Sequence, residues 1–363
     1  MPRYRFEELV YNITEKGMPA PGDEKWYIGL EHLDSGSLSV TRWGGDVELT
    51  GQKLVMKKGD ILFGRRNTYL RRVAIAPHDG YFSAHGMIFR AKEERILSEY
   101  LPFFIASDYF MDAAIRISVG SLSPTVNWKT LKELEFEIPE IEEQRKSAAL
   151  LWAAEDTKRA YEELLKQSDE LVKSQFIELF DSSENGAEFI RLEDCCKSIT
   201  GGNTPSMKHP EYYGGSIPFI KSGDVKTRTI REGALWLTDT ALEQTNAKLL
   251  PPKTVIVVIR SAALRHEFHT AVTEVPVVIN QDLKALTPHD IFLPEYLMWA
   301  LIAHENDLLG GVKTVLTSHI EMRDLLNLPI KVAPLEQQRY FCDMAAQLDK
   351  SKFSVQIAIY RDV

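Results

Sequence analysis

"EIPEIEEQR", from Glu137 to Arg145, returns in altered form as "KVAPLEQQR", from Lys331 to Arg339. The offset is 194 positions (137 to 331) in a chain of 363 residues. Each copy carries apolar residues up to a proline and then glutamate, glutamine and arginine, the order expected where an extended segment hands over to a helix. A repeat at just over half the chain length requires the molecule to be read as two halves.

Other stretches correspond at about the same offset. "KLVMKKGDILFGR" (Lys53 to Arg65) answers "KLLPPKTVIVVIR" (Lys248 to Arg260), each a turn followed by an apolar run that reads as a buried strand. "EYLPFFIAS" (Glu99 to Ser107) answers "EYLMWALIA" (Glu295 to Ala303), both apolar at helical spacing. The stretch from Gly120 answers that from Gly311, with Leu131, Leu134, Phe136 and Ile138 matched by Leu325, Leu328, Ile330 and Val332. The order of events is the same in both halves, and the length suits two domains of roughly 100–200 residues each.

After the first copy, Leu150, Leu151, Ala154, Tyr161, Leu164, Leu165, Leu171, Val172, Phe176 and Leu179 recur at three-, four- and seven-residue steps, with no Gly or Pro until Gly186. This predicts an amphipathic helix of roughly 40 residues, about 60 Å long at 1.5 Å per residue. Its apolar stripe needs a partner. The segment from Leu335 through Phe341, Met344, Ala345, Leu348, Phe353, Ile357 and Ile359 supplies one, so the two are expected to pair as an antiparallel coiled coil with Tyr161, Leu165 and Leu171 at the contact.

Hydrophobic residues make up 44% of the chain and charged residues 26%, values of a globular protein able to fold. No apolar run reaches the roughly 18 residues of a membrane span, and "MPRYRFEELV" lacks the core of a signal peptide, so a cytoplasmic protein without membrane contact is expected. Cys195, Cys196 and Cys342 form neither a disulfide framework nor a metal-ligand spacing and are expected to be reduced and structural. The net charge of −9 argues against a polyanion partner, but the segment from Glu140 to Asp181 holds eleven acids against six bases and so carries more than half of it. Elsewhere the chain is closer to neutral and basic clusters such as "GRRNTYLRR" (Gly64 to Arg72) stand out, leaving room for a local nucleic-acid surface.

The second half contains "ITGGNTPSMKHPEYYGGSIPFIKSGDV" (Ile199 to Val225), "AKLLPPKTVIVVIRSA" (Ala247 to Ala262), "VINQDLKAL" (Val278 to Leu286) and "LPIKVAPLEQQR" (Leu328 to Arg339). In this order and spacing they resemble the specificity (S) subunits of Type I restriction–modification systems, the HsdS family, over essentially the whole chain. The first half departs from the pattern: it has no G-x-T-P-S loop, and "FSAHGMIF" (Phe82 to Phe89) stands in place of the N-Q-D stretch. The resemblance implies an α+β architecture of two similar target recognition domains (1–139 and 186–333). These would be separated by a long spacer helix (140–185) and a second, shorter one (334–363), with a pseudo-two-fold between the copies. It implies a non-catalytic subunit without a cofactor that reads a bipartite target in double-stranded DNA, one half-site per domain. Its helices would dock two methylase (M) subunits, and restriction motor-nuclease (R) subunits would join through the complex. Duplication then explains how one chain accepts two identical partners.

Reading DNA requires phosphate contacts for position and base-edge contacts for sequence. In the first half Arg65, Arg66, Arg71 and Arg72 flank Asn67 and Tyr69, a mix able to supply both, since Arg reads guanine and Asn reads adenine. The bland reading of the same residues is a solvated hairpin tip. In the second half "GGNTPS" offers backbone N–H groups and the hydroxyls of Thr204 and Ser206 for close approach to a phosphate, or it is a turn the fold needs. Lys221, Arg260, Arg265 and Lys313 are further candidates, whereas Asn280, Gln281 and Asp282 read as the close of a strand.

Several motifs mislead. "RHEFH" (Arg265 to His269) spaces its histidines three apart, not the four of H-E-x-x-H, and predicts no metal site. "PEIEEQRK" (Pro139 to Lys146) scatters its acids around a helix, and "GGVKT" (Gly310 to Thr314) is not a phosphate-binding loop. No S-adenosylmethionine signature or N-P-P-[YF] motif is present, so catalysis is assigned to other subunits. Two other readings remain at this point: a specificity-type subunit of another phage-defence complex, and a helical adaptor that binds proteins rather than DNA.

Overall fold

The computed structural model describes residues 1–45, 49–181, 188–265, 267–314 and 318–361. The duplicated motif has a structural cause. Gln144 is fully buried: its side-chain oxygen accepts the Leu97 N–H (2.8 Å) and its amide donates to the carbonyls of Arg95 (2.9 Å) and Pro139 (2.8 Å). Gln338 is also fully buried, and it accepts the Leu293 N–H (2.8 Å) and donates to the carbonyls of Ile291 (2.9 Å) and Ala333 (2.7 Å). In each half one glutamine therefore ties the first turn of a helix to the loop that leads into the preceding helical segment. A buried amide needs such partners.

The chain divides into two compact units, Met1–Arg159 and Ala160–Val363, with the border inside the helix Ile141–Phe176. In the first unit Arg3–Arg5 pairs antiparallel with Glu135–Glu137, so the start of the chain closes against the strand that leads to the helix. One four-stranded sheet is ordered Val10–Ile13, Met87–Ala91, Ile61–Phe63, Val73–Ile75. A second is ordered Lys16–Gly17, Lys53–Met56, Gly80–Phe82, Tyr27–Ile28. Phe6, Phe63, Phe89, Phe104, Phe110 and Phe136 form the core between the first sheet and the helices Leu101–Ala106 and Asp108–Arg116. Their rings meet edge-on or tilted, the arrangements the ring quadrupole favours.

The second unit repeats the plan with different sizes. Phe189–Arg191 pairs antiparallel with Pro329–Lys331, the counterpart of the closing pair above. A five-stranded sheet runs Cys196–Gly201, Leu283–Pro288, Val255–Val258, Thr270–Thr273, Thr229–Ile230, and a three-stranded one Leu235–Leu237, Tyr213–Ile220, Val278–Ile279. Ile61–Phe63 and Val255–Val258 are buried throughout, as expected of apolar runs covered on both faces. The turn before each strand needs a left-handed residue, which is Gly59 (φ 90°) in one unit and Lys253 (φ 64°) in the other. Burial pushes the Cys195, Cys196 and Cys342 thiols up to about 12, so they stay protonated at neutral pH.

The long helix is α-helical over Ile141–Phe176 (36 residues), then continues as a π-helical stretch over Ile177–Asp181. The second helix is Leu335–Arg361. Within the second unit Phe341 lies against Phe176 and Phe180, with ring centroids 5.2 and 5.8 Å apart. Arg228 donates to Asp169 (2.5 Å) on one helix and to Asp349 (2.7 Å) on the other, with its guanidinium over the Trp299 ring. Residue 169 thus neighbours 349 while 176 neighbours 341, so the two helices run in opposite directions here. Of the three residues expected at the contact, Leu171 is 55% exposed, Tyr161 is 37% exposed and Leu165 is half-buried. The buried positions are Val172, Phe176 and Phe180. Adjacent residues on a helix point about 100° apart, and with both Leu171 and Val172 apolar the periodicity did not choose between them.

Candidate nucleic-acid interface

In the first unit the loop from Gly64 to Arg72 is held at both ends. The Gly64 N–H donates to the Arg72 carbonyl (2.9 Å), and a Cβ on Gly64 would press on Arg72 at 3.0 Å, so the two ends approach as closely as glycine allows. The Asn67 N–H donates to the Pro124 carbonyl (2.7 Å) and the Val126 N–H to the Arg65 carbonyl (2.9 Å), which fastens the loop to the segment before Asn127. Asn67 sits at φ 53°, and its side-chain oxygen accepts from Ser123 Oγ (3.1 Å), which itself accepts from Arg66 Nε (2.9 Å).

The arginines therefore differ in role. Arg71 forms ion pairs with Asp108 and Asp112 (2.6 Å to the latter), so its guanidinium is engaged with the helix Asp108–Arg116. Arg65 and Arg72 are half-buried and have no side-chain partner among the described residues, and Tyr69 is exposed beside them. Because Phe63 pairs with Met87, Arg65 stands next to the turn Ser83–Gly86. The Ser83 N–H donates to the Ile28 carbonyl (3.0 Å), so the Gly29–His32 turn joins the same edge.

In the second unit the corresponding edge gathers the separate motifs. Val258 pairs with Leu283, the Ile259 N–H donates to the Asp282 carbonyl (2.9 Å), and Arg260 takes the place that Arg65 has in the first unit. The Asn280 N–H donates to the Ile220 carbonyl (3.0 Å), which sets Lys221 beside the turn. Gly202 leaves no room for a side chain, since a Cβ there would lie 2.1 Å from the Asn280 carbonyl oxygen, and the Asn203 N–H donates to the Ile279 carbonyl (3.1 Å). The Gly-Gly-Asn-Thr-Pro-Ser loop is thus laid directly on the Asn-Gln-Asp turn.

Its two hydroxyls differ in what they leave free. Thr204 Oγ1 donates to Gln281 Oε1, and Ser206 Oγ accepts the Lys208 N–H (3.3 Å). Asn280 and Asp282 close the strand as expected, with Asn280 Nδ2 donating to Asp282 Oδ2 (2.9 Å) and the Asp282 N–H to Asn280 Oδ1 (3.2 Å). Gln281 between them is exposed, a residue the sequence reading set aside because its letters gave no sign of which way it points. Lys284 was missed for the same reason: it pairs with Gly201, and its ammonium lies where a Gly201 side chain would be. Arg260 faces the Asp282 carboxylate at 3.9 Å, and Arg265 Nε donates to Ser318 Oγ (3.3 Å). Lys313 is on the strand Lys313–Thr314, with its side chain outside the described residues. His266 is likewise outside them, and His269 faces Glu267 at 3.3 Å.

The two edges are capped by different titratable groups. The Lys221 N–H is capped by the Asp224 carboxylate (2.8 Å), whereas the Gly29 N–H is capped by His32 Nδ1 (2.9 Å), which can accept only while unprotonated. Burial holds the His32 imidazole below its ordinary value of 6.5, opposed by Glu31. A depressed value favours the neutral folded form, so this stabilisation is fully present above 6.5 and is lost as the pH falls from there through the lower value. Thermal unfolding of the first unit is expected to weaken over that window, and His32→Asp is expected to flatten the dependence. An unchanged slope in the variant would assign it to other groups.

Two copies of one α+β plan, each with an arginine leaving a buried strand at the same edge, make this a duplicated protein. The model of the type I restriction modification DNA specificity domain matches residues 20–167 and again 184–356, and the chain belongs to that family. A Type I restriction enzyme specificity subunit of Escherichia coli is 26% identical over 166 residues, 45% of this chain and 41% of that protein. One of Methanocaldococcus jannaschii is 29% identical over 182 residues, 45% of this chain and 42% of that protein. Each alignment therefore spans less than half of the curated relative. Among solved structures, a chain from a type I R-M system superimposes with a TM-score of 0.52 at 20% identity, covering 99% of this chain and 93% of that one. The S subunit of a type I system from M. genitalium gives 0.50 at 12% identity, covering 99% and 92%. At these identities the likeness is one of fold.

Proposed function

We propose that the chain is the DNA sequence-specificity subunit of a Type I restriction–modification complex. In this reading residues 1–139 and 186–333 are the recognition domains, 140–185 and 334–363 the spacer helices, and the helices pair as an antiparallel coiled coil. The observation that carries it is the equivalence of Arg65 and Arg260, each leaving a buried central strand beside a turn at the same edge of a repeated fold. Each domain reads one half of a bipartite double-stranded target, and the spacer sets an unread gap. Leu150, Leu164, Leu171 and Tyr340 are exposed on the helices and offer apolar surface to two methylase subunits, through which the restriction subunits join. The chain supplies specificity and no reaction, and it needs no cofactor.

The test is a half-site experiment on the complex assembled with methylase subunits. Arg65→Ala with Arg66→Ala is expected to weaken or relax reading of one block only, and Arg260→Ala with Arg265→Ala the other, by up to about 1–3 kcal/mol for each base contact removed. Mapping of modified adenines reads both blocks at once. A single uninterrupted target, or equal effects of both variants on both blocks, would overturn the two-reader assignment.

A further inference from the structure

We infer that the edge formed by the Gly201–Thr204 loop, Gln281, Lys284 and Lys221 is a backbone-phosphate anchor, which positions the second recognition domain without reading sequence. The inference rests on the DNA-binding function proposed above and adds the chemical group that this edge takes. The argument turns on which hydrogen-bonding atoms are left free. A glutamine that reads adenine needs its oxygen to accept from N6 while its amide donates to N7. Here Thr204 Oγ1 donates to Gln281 Oε1, which occupies one lone pair of that oxygen and orients the amide, so both Nε2 donors are presented to a ligand.

The surroundings carry the same sign. Lys284 has its ammonium against Gly201, Lys221 follows the strand end that holds Asn280, and neither side chain has a partner among the described residues. The acids nearby hold the backbone and side chains of the turn. Asp282 accepts from Asn280 Nδ2, and Asp224 accepts the Lys221 N–H (2.8 Å) and the Ala234 N–H (3.4 Å). Amide donors beside two ammonium groups fit a group made only of acceptors, and in a DNA duplex that group is the phosphate. Gly201 leaves room for the Lys284 ammonium, and Gly202 lets the loop lie on the backbone of Ile279 and Asn280. The first unit lacks the arrangement, having Ser83, Ala84 and His85 at its turn and Gly29 where the second has Lys221. The anchor therefore belongs to one half-site alone.

The experiment measures duplex binding by the complex with methylase subunits, across a salt series, for the target and for duplexes altered at single base pairs. Gln281→Glu is expected to lower affinity about tenfold for every duplex with the order of preference unchanged. Thr204→Val, which frees the amide to rotate, is expected to give a smaller loss in the same direction. Lys284→Gln is expected to reduce the slope of log affinity on log salt by about 0.9, the value for one phosphate contact. Scanning the target with single methylphosphonates is expected to find one position, beside the second half-site, where the neutral linkage weakens the wild type but not Gln281→Ala. Gln281 is exposed on a turn, and melting temperatures of the variants check that they fold. A change of base preference at one position would make Gln281 a reader and overturn the anchor while leaving the DNA function intact. Unchanged binding in all three variants would overturn it as well. A wild-type complex that binds no duplex would remove the DNA function and the anchor together.

Discussion

Phe341→Ala is expected to destabilise the second unit by about 3–5 kcal/mol, the range for removing a fully buried phenylalanine. Phe341 has no exposed surface and meets three rings, Phe176 (5.2 Å), Phe180 (5.8 Å) and Trp299 (5.8 Å), and Tyr296 packs on the first two. The cavity would lie where the two helices and the helix Pro294–Ala303 converge, a place where backbone collapse is resisted from three sides. The neighbouring bridge from Arg228 to Asp169 and Asp349 is partly exposed and so contributes less than its short contacts suggest. Denaturant unfolding followed by tryptophan fluorescence measures the loss. A change below about 1 kcal/mol would mean that the helices are held together elsewhere.

Gln144→Leu and Gln338→Leu are each expected to cost about 2–4 kcal/mol, although leucine fits the volume and is more apolar. The reason is what remains behind. In the first unit the Leu97 N–H and the carbonyls of Arg95 and Pro139 lose their partner, and in the second the Leu293 N–H and the carbonyls of Ile291 and Ala333 do. An unpaired buried donor or acceptor costs its desolvation whatever replaces the side chain. The two sites share no partner, so the double variant is expected to show the sum of the single losses. Urea midpoints of the three variants check this, and a loss within about 0.5 kcal/mol for either single change would show that the glutamine is dispensable at that helix start.

The repeat made the duplication legible, and the reason is chemical. Each copy must fasten a helix start to its own domain, and the fastening uses a buried glutamine at the same place, so Gln144 and Gln338 persist while the cores around them diverge. The buried strands were legible because continuous apolar runs such as Val255–Val258 can only be covered on both faces. The long helix was legible from its periodicity, but the buried side of its later turns was not, because Leu171 and Val172 are equally apolar and only Phe341 and Phe180 select between them.

Sequence alone also grouped the cations correctly by neighbourhood but could not assign them. Arg65, Arg66, Arg71 and Arg72 read as one cluster, yet Asp108 and Asp112, far along the chain, engage only Arg71. The G-x-T-P-S loop and the N-Q-D turn are 77 residues apart from Thr204 to Gln281, and nothing in either motif announces that one hydroxyl orients the other's amide. What the sequence by itself determined is the local and periodic part: two copies, their buried strands, and the helices that follow each. Which atoms at each edge remain free for a ligand was decided by tertiary structure, because a hydrogen-bonding group is available only when no distant residue has been folded against it.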